Sequence, residues 1–182
     1  PRIATEVSAG LNYVQFMIPG LIMMSVITNS YANVTSSFYS VKFQRSIEEL
    51  LVSPMPNWTI LLGFIIGGVV RGTIIGFIVF FVSLLFYPSF EVVNPGLTLL
   101  VLFLTSILFS LMGFVNAIYA DSFDAISVIP TFILTPLIYL GGVFCANDIL
   151  PEVWRSISVV NPMLYVVSTF RAVMLGICDV SI

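Results

Sequence analysis

From Leu97 to Ala120 the chain runs for twenty-four residues without a single Asp, Glu, Lys or Arg. As a helix this run is about 36 Å long, and uncharged runs of such length belong in hydrocarbon or deep inside a large protein. The whole sequence favours hydrocarbon, with 59% hydrophobic residues, 8% charged residues and a mean hydropathy of +1.11. Soluble domains lie far from these values. The surface that the 182 residues bury must therefore face lipid and neighbouring helices. A scattered net charge of −3 and the lack of a basic patch argue against nucleic acid as a partner. With no His and two Cys, at 145 and 178, a Ser-His-Asp triad and a His-containing zinc site are excluded, and no metal site is expected. The chain starts at Pro1 without the basic start and cleavage site of a signal peptide, and it reads as a fragment.

The expected fold is all-α and polytopic, a single transmembrane domain over 1–182. Four spans are expected, at 13–34, 58–87, 97–120 and 126–145. The second, at thirty residues, exceeds a bilayer core and implies tilt, a kink or an overhang. The tail is broken by Pro151 and Pro162, and its last apolar piece, "PMLYVVSTFRAVMLGI", is too short to cross with ease. It suits an interfacial or re-entrant segment within 146–180. Six basic residues orient the chain only weakly, with Lys42, Arg45 and the loop "DSFD" placed in the cytoplasm and Arg155 and Arg171 outside.

Charge concentrates in "KFQRSIEELLVSPMP", residues 42–56. As one helix over 42–53 it sets Phe43, Ile47, Leu50 and Leu51 against Lys42, Arg45, Glu48 and Glu49. Arg45 would pair with Glu48 and Glu49, and Pro54 and Pro56 would end the helix. A helix lying in the headgroup layer and one that docks on a soluble partner both fit this pattern, and the residues alone do not choose.

Within the spans, Arg71 needs a partner or a route to the headgroups. It reads either as a pathway residue attracting an anionic group or as a structural or snorkelling cation. Gly63 and Gly67, then Gly68, Gly72 and Gly76, recur at intervals of four and predict close helix packing, as does the stripe Ser106, Ser110, Gly113 and Ala117. Pro130 and Pro136 predict a kink in the last span. Asp121 and Asp124 read as a solvated turn and helix cap, Cys145 and Cys178 as free thiols or, both falling on the outer side, as a disulfide, and the sequons at Asn33 and Asn57 as unused. Trp154, Tyr165, Tyr87 and Tyr139 suit an aromatic belt.

Four stretches, taken together with Leu150 and Pro151, carry a resemblance. "FMIPGLIMMSVITNSYANV" is followed by "KFQRSIEELLVSPMP", and "PTFILTPLIYLGGVF" by Leu150, Pro151 and "NPMLYVVSTFR". This resembles the permease subunit of a bacterial inner-membrane type-2 ABC transporter, whose signature is similar to Gly141, Val143, Leu150, Pro151, Pro162, Met163, Tyr165 and Arg171 here. The resemblance implies six spans in the complete family pattern, with 13–34 as the second and the first and last lying outside this sequence. It implies a coupling helix at 42–53 docked on an ATP-binding-cassette subunit, extracellular re-entrant helices from 146 onward, and a homodimer. ATP and Mg would be bound by the partner subunit, and this chain would bind no cofactor and hydrolyse nothing. A secondary transporter would need acids or His within the spans, which are lacking. A scaffold or channel subunit without a motor is the remaining alternative.

Overall fold

The computed structural model describes residues 13–86, 92–143 and 161–176. Among these, every regular element is a helix. Helix α1, Tyr13–Phe43, is followed by a short α2, Ser46–Val52, and by α3, Asn57–Phe86. Next comes α4, Pro95–Tyr119, which has proline at its start, where the missing N–H costs nothing. Ser122 accepts a hydrogen bond from the Ala125 backbone N–H at 3.1 Å and so caps α5, Phe123–Ile129.

The chain then continues without interruption through a π-helical turn at Pro130–Leu134, α6 at Thr135–Ile138 and a second π turn at Tyr139–Val143. Pro130 and Pro136 lack the N–H that α-helical bonding needs. Thr135 Oγ1 instead donates to the Pro130 carbonyl five residues back, at 2.8 Å, which matches the wider turn. Helix α7, Pro162–Leu175, is closed by Gly176 with φ 75°, a left-handed cap suited to glycine.

Among the described residues, three helices are long and apolar enough to cross a membrane: α3, α4 and the continuous stretch Phe123–Gly141. They overlap the runs expected at 58–87, 97–120 and 126–145, of which Tyr87 and residues 144–145 lie outside the described residues. Helix α1, at 31 residues, is one residue longer than α3 but carries Ser25, Thr28, Asn29, Ser30, Asn33, Thr35, Ser36 and Ser40. Most of these side chains bond their own helix. Ser25, Thr28, Ser36 and Ser40 hydroxyls donate to carbonyls four residues back at 2.7–2.9 Å, so they need little from their surroundings. Helix α7 has fourteen residues, about 21 Å of rise against a hydrocarbon core of about 30 Å.

The core forms around α1. Ile22, Met23, Val26, Ile27, Tyr31 and Val34 are at most 2% exposed, enclosed by α3, α4 and α7. The three long helices meet in layers four residues apart. Gly68 lies against Val34 and Ser110, Gly72 against Ser30 and Ser106, and Gly76 against Val26 and Leu102. A methyl group at Gly76 would stand 2.7 Å from Val26 Cγ2, and one at Gly72 would overlap the Ser30 hydroxyl. The absence of side chains lets the backbones approach until Ser30 Oγ and Ser106 Oγ bond at 2.6 Å. Gly113 completes the contact on α4, its carbonyl accepting from Thr35 Oγ1 at 3.1 Å.

A smaller cluster, Phe38, Tyr39, Ala117, Ala120 and Ile126, closes the end nearest α2. Phe38 contacts the Phe64 ring at 5.3 Å and the Phe114 ring at 4.5 Å, between ring centroids, tying α1 to α3 and α4.

Candidate functional site

The connection between α1 and α3 gathers the charged residues, but not as the single helix expected over 42–53. Lys42 and Phe43 finish α1, Arg45 has φ 58°, and α2 begins only at Ser46. The left-handed Arg45 turns the chain, with its N–H donating to the Lys42 carbonyl at 3.1 Å and its own carbonyl accepting from Glu48 N–H. Such a backbone costs a non-glycine residue about 1–2 kcal/mol. Nothing about Arg in the sequence signals it.

The break changes the role of each residue. Lys42 does not share a face with Glu48 and Glu49. Its ammonium donates to the Ile118 and Ala120 carbonyls at 2.7 and 2.8 Å and so closes the C-terminal end of α4. Glu48 and Glu49 fall in the first turn of α2 and are exposed, a placement that the helix dipole favours. Ile47 packs against the small cluster, Leu50 is half-buried, and Leu51 and Val52 are 60% and 86% exposed. Phe43 is largely exposed, yet its ring lies 5.1 Å from that of Phe123, centroid to centroid. Beyond α2, Met55 and Trp58 add further uncovered apolar surface. This end of the molecule thus carries two carboxylates beside a patch of large apolar side chains. Such a surface suits a protein partner or a headgroup layer.

Arg71 is the fifteenth of the thirty residues of α3. It is exposed on the side of the helix, and Nη1 donates to Asn33 Oδ1 on α1 at 3.1 Å. The partner is an amide oxygen and carries no charge, so the hydrogen bond orients the guanidinium without neutralising it. A cation at this depth costs about 3 kcal/mol or more when it faces hydrocarbon.

The glycines divide into two sets. Gly68, Gly72 and Gly76 are buried against α1 and α4, whereas a methyl group at Gly63 would meet nothing within 4 Å and one at Gly67 would meet only Asn33 Nδ2 at 3.7 Å. Gly63 and Gly67 line the same open side of α3 as Arg71. Ser106, Ser110, Gly113 and Ala117 are all buried. Sequence reasoning missed Asn33, noting it only as a sequon. Its signal was its place, with Ser25, Thr28, Asn29 and Ser36, on a polar strip along α1.

Of the signature residues, Gly141 and the start of α7 come together. A methyl on Gly141 would stand 3.0 Å from Met163 Cβ. Asn161 accepts from Met163 N–H at 2.9 Å and donates to the Leu137 carbonyl at 2.6 Å, which locks α7 to the π-helical span just before Pro162. Arg171 is 3% exposed and its guanidinium carbon lies 3.6 Å from the centre of the Phe16 ring. Tyr165 is exposed. Leu150, Pro151, Trp154, Arg155, Cys145, Cys178 and Tyr87 lie outside the described residues, as does most of the expected re-entrant stretch. Asp121 and Asp124 are exposed in the turn that Ser122 caps.

A family profile described as ABC-2 type transporter matches residues 3–175. The chain is similar to the inner membrane transport permease YadH of Escherichia coli (strain K12), with 54% identity over 171 residues, 94% of this chain and 66% of that protein. It is similar also to nodulation protein J of Rhizobium leguminosarum bv. viciae, with 24% identity over 169 residues, 92% of this chain and 64% of that protein. The chain thus spans just under two thirds of the length of these relatives. No solved structure matches it.

Proposed function

Since this chain belongs to the ABC-2 type transporter family, we propose that it is the membrane subunit of an ATP-driven exporter in the bacterial inner membrane. Two copies form the translocation path, and a separate ATP-binding-cassette subunit binds ATP and Mg and performs the hydrolysis. In this reading α1 crosses the bilayer together with the three apolar helices, shielded from lipid by α3, α4 and α7. Helix α7 enters the membrane from outside without crossing.

The observation that carries this reading is the connection 42–56. It projects Glu48, Glu49, Leu51 and Val52 from the end of the bundle, while Lys42 holds its root against α4. A partner that docks on α2 pulls on α1 directly and on the α4–α5 turn through Lys42. Docking displaces the spans only if the partner binds their two arrangements with different free energy.

The test is a single cysteine at Ser46 or Ser53 of the full-length protein, crosslinked in intact cells, with the captured protein identified. Capture of an ATP-binding-cassette subunit is expected. Access to Ser46 from outside only, or capture of lipid alone, would overturn the docking role and bring forward a scaffold or channel subunit without a motor.

A further inference from the structure

We propose that the open groove between α1 and α3 is a binding site for an anionic amphiphile in transit across the bilayer, with its phosphate or carboxylate on Arg71 and Asn33 and its chain in the apolar stretch beyond. The proposal rests on the transport reading above and adds a ligand class to it.

Four observations converge on this groove. Arg71 Nη1 and the Asn33 amide meet on its wall. Besides the Nη1 bond to Asn33 Oδ1, the pair carries the other guanidinium N–H groups and the Asn33 NH2, and such N–H groups recognise oxyanions. The floor beside them is bare backbone, since a methyl group at Gly63 meets nothing and one at Gly67 meets only Asn33. A headgroup can therefore approach α3 closely. The α1 wall exposes Thr28 and Ser36 here, with the small Ala32 between them, whereas the outer face of α3 shows Ile66, Val70, Ile74 and Phe77 to its surroundings. Further along, the walls become apolar, and Ile18, Leu21, Ile78, Val82 and Phe86 line an open groove of about 370 Å³.

From Arg71 to Phe86 the helix rises about 22 Å, comparable to an extended acyl chain. Arg71, Ile78, Val82 and Phe86 follow at intervals of seven, four and four, which keeps them on one side of α3. Headgroup chemistry at one end and chain chemistry at the other together define an amphiphile. Depth decides between a resident lipid and a travelling one. A resident lipid keeps its headgroup at the interface, whereas Arg71 lies halfway along α3.

The test uses the full-length protein in phosphatidylcholine nanodiscs, with Cys145→Ser and Cys178→Ser and one reporter from Gly67→Cys, read as the rate of maleimide labelling. Gly63→Cys replaces the reporter if the first variant does not fold. Dihexanoylphosphatidylglycerol is expected to slow labelling about tenfold, the range of one charge-assisted hydrogen bond. Dihexanoylphosphatidylcholine and inorganic phosphate should leave the rate unchanged. Arg71→Gln should abolish the protection and Val82→Asn should weaken it.

Protection by inorganic phosphate alone would replace the amphiphile by a free anion and overturn the proposal. So would protection by phosphatidylcholine, protection that survives Arg71→Gln, or a reporter that no maleimide reaches. No ATPase takes part in this assay, so its failure leaves the capture at Ser46 standing, and a failed capture leaves the labelling result standing.

Discussion

Helices α1 and α3 are almost equal in length and are packed side by side, but their burial runs opposite to their composition. The polar one is the centre of the molecule, with Ser30, Thr35, Ile22, Met23, Val26, Ile27 and Val34 at 3% exposure or less. The apolar one has only 17% of its most apolar eighteen-residue stretch buried, and it shows Ile66, Val70, Ile74, Phe77, Ile78 and Phe81 outward. In water this would be an inverted protein. In a bilayer lipid is as apolar as leucine, so apolarity marks contact with solvent, and the interior is selected by close packing and by hydrogen bonds between helices. Hydropathy therefore locates the spans and says little about which of them is central.

The contrast can be broken most severely at Gly72. Gly72→Leu should cost at least about 3 kcal/mol, read as loss of folded full-length protein in detergent by thermal unfolding. Gly63→Leu, on the open side of the same helix, should leave the midpoint nearly unchanged. A smaller effect is expected at the root of the connection. Lys42→Met removes two bonds to the end of α4 and should destabilise by about 1–2 kcal/mol, with Lys42→Arg restoring part of the loss.

Between α1 and α4, a double-mutant cycle of Ser30→Ala and Ser106→Ala should give a coupling of about 0.6 kcal/mol, the usual scale for such bonds in membranes. Arg45→Gly should stabilise by about 0.5–1 kcal/mol, because glycine accepts the left-handed backbone freely. Least of all, Val70→Leu on the lipid face of α3 should change unfolding by less than about 0.5 kcal/mol. A large loss there would mean that this face is covered by protein.

The sequence made the apolar helices legible because a long uncharged run has few alternatives. The expected span at 97–120 and the observed Pro95–Tyr119 differ by two residues at most. It also marked the four-residue spacing of glycines, but not which of them would be enclosed. Gly67 and Gly68 are adjacent, so a rotation of 100° decides that one faces Ser110 and the other the open groove. The end of α1 was less readable still. The expected first span stops at Val34, whereas the helix continues to Phe43 and places Phe38 and Tyr39 in the core. At Arg45 the local pattern favoured an unbroken amphipathic helix, and the tertiary bonds of Lys42 to α4 outweighed it. The pairing of Arg71 with Asn33 joins residues 38 apart in sequence, and no local period contains that information.

The layering of α1, α3 and α4 has a mechanical consequence. Because the contacts repeat every four residues in all three helices, the fit found at one register recurs only after a slide of about 6 Å. Intermediate positions drive Ser30 and Val26 off the glycines and against the larger side chains that lie between them. The interface acts like meshed gear teeth, stiff against gradual shear and tolerant only of whole steps. Small displacements imposed at the connection 42–56 will therefore carry these three helices as one block.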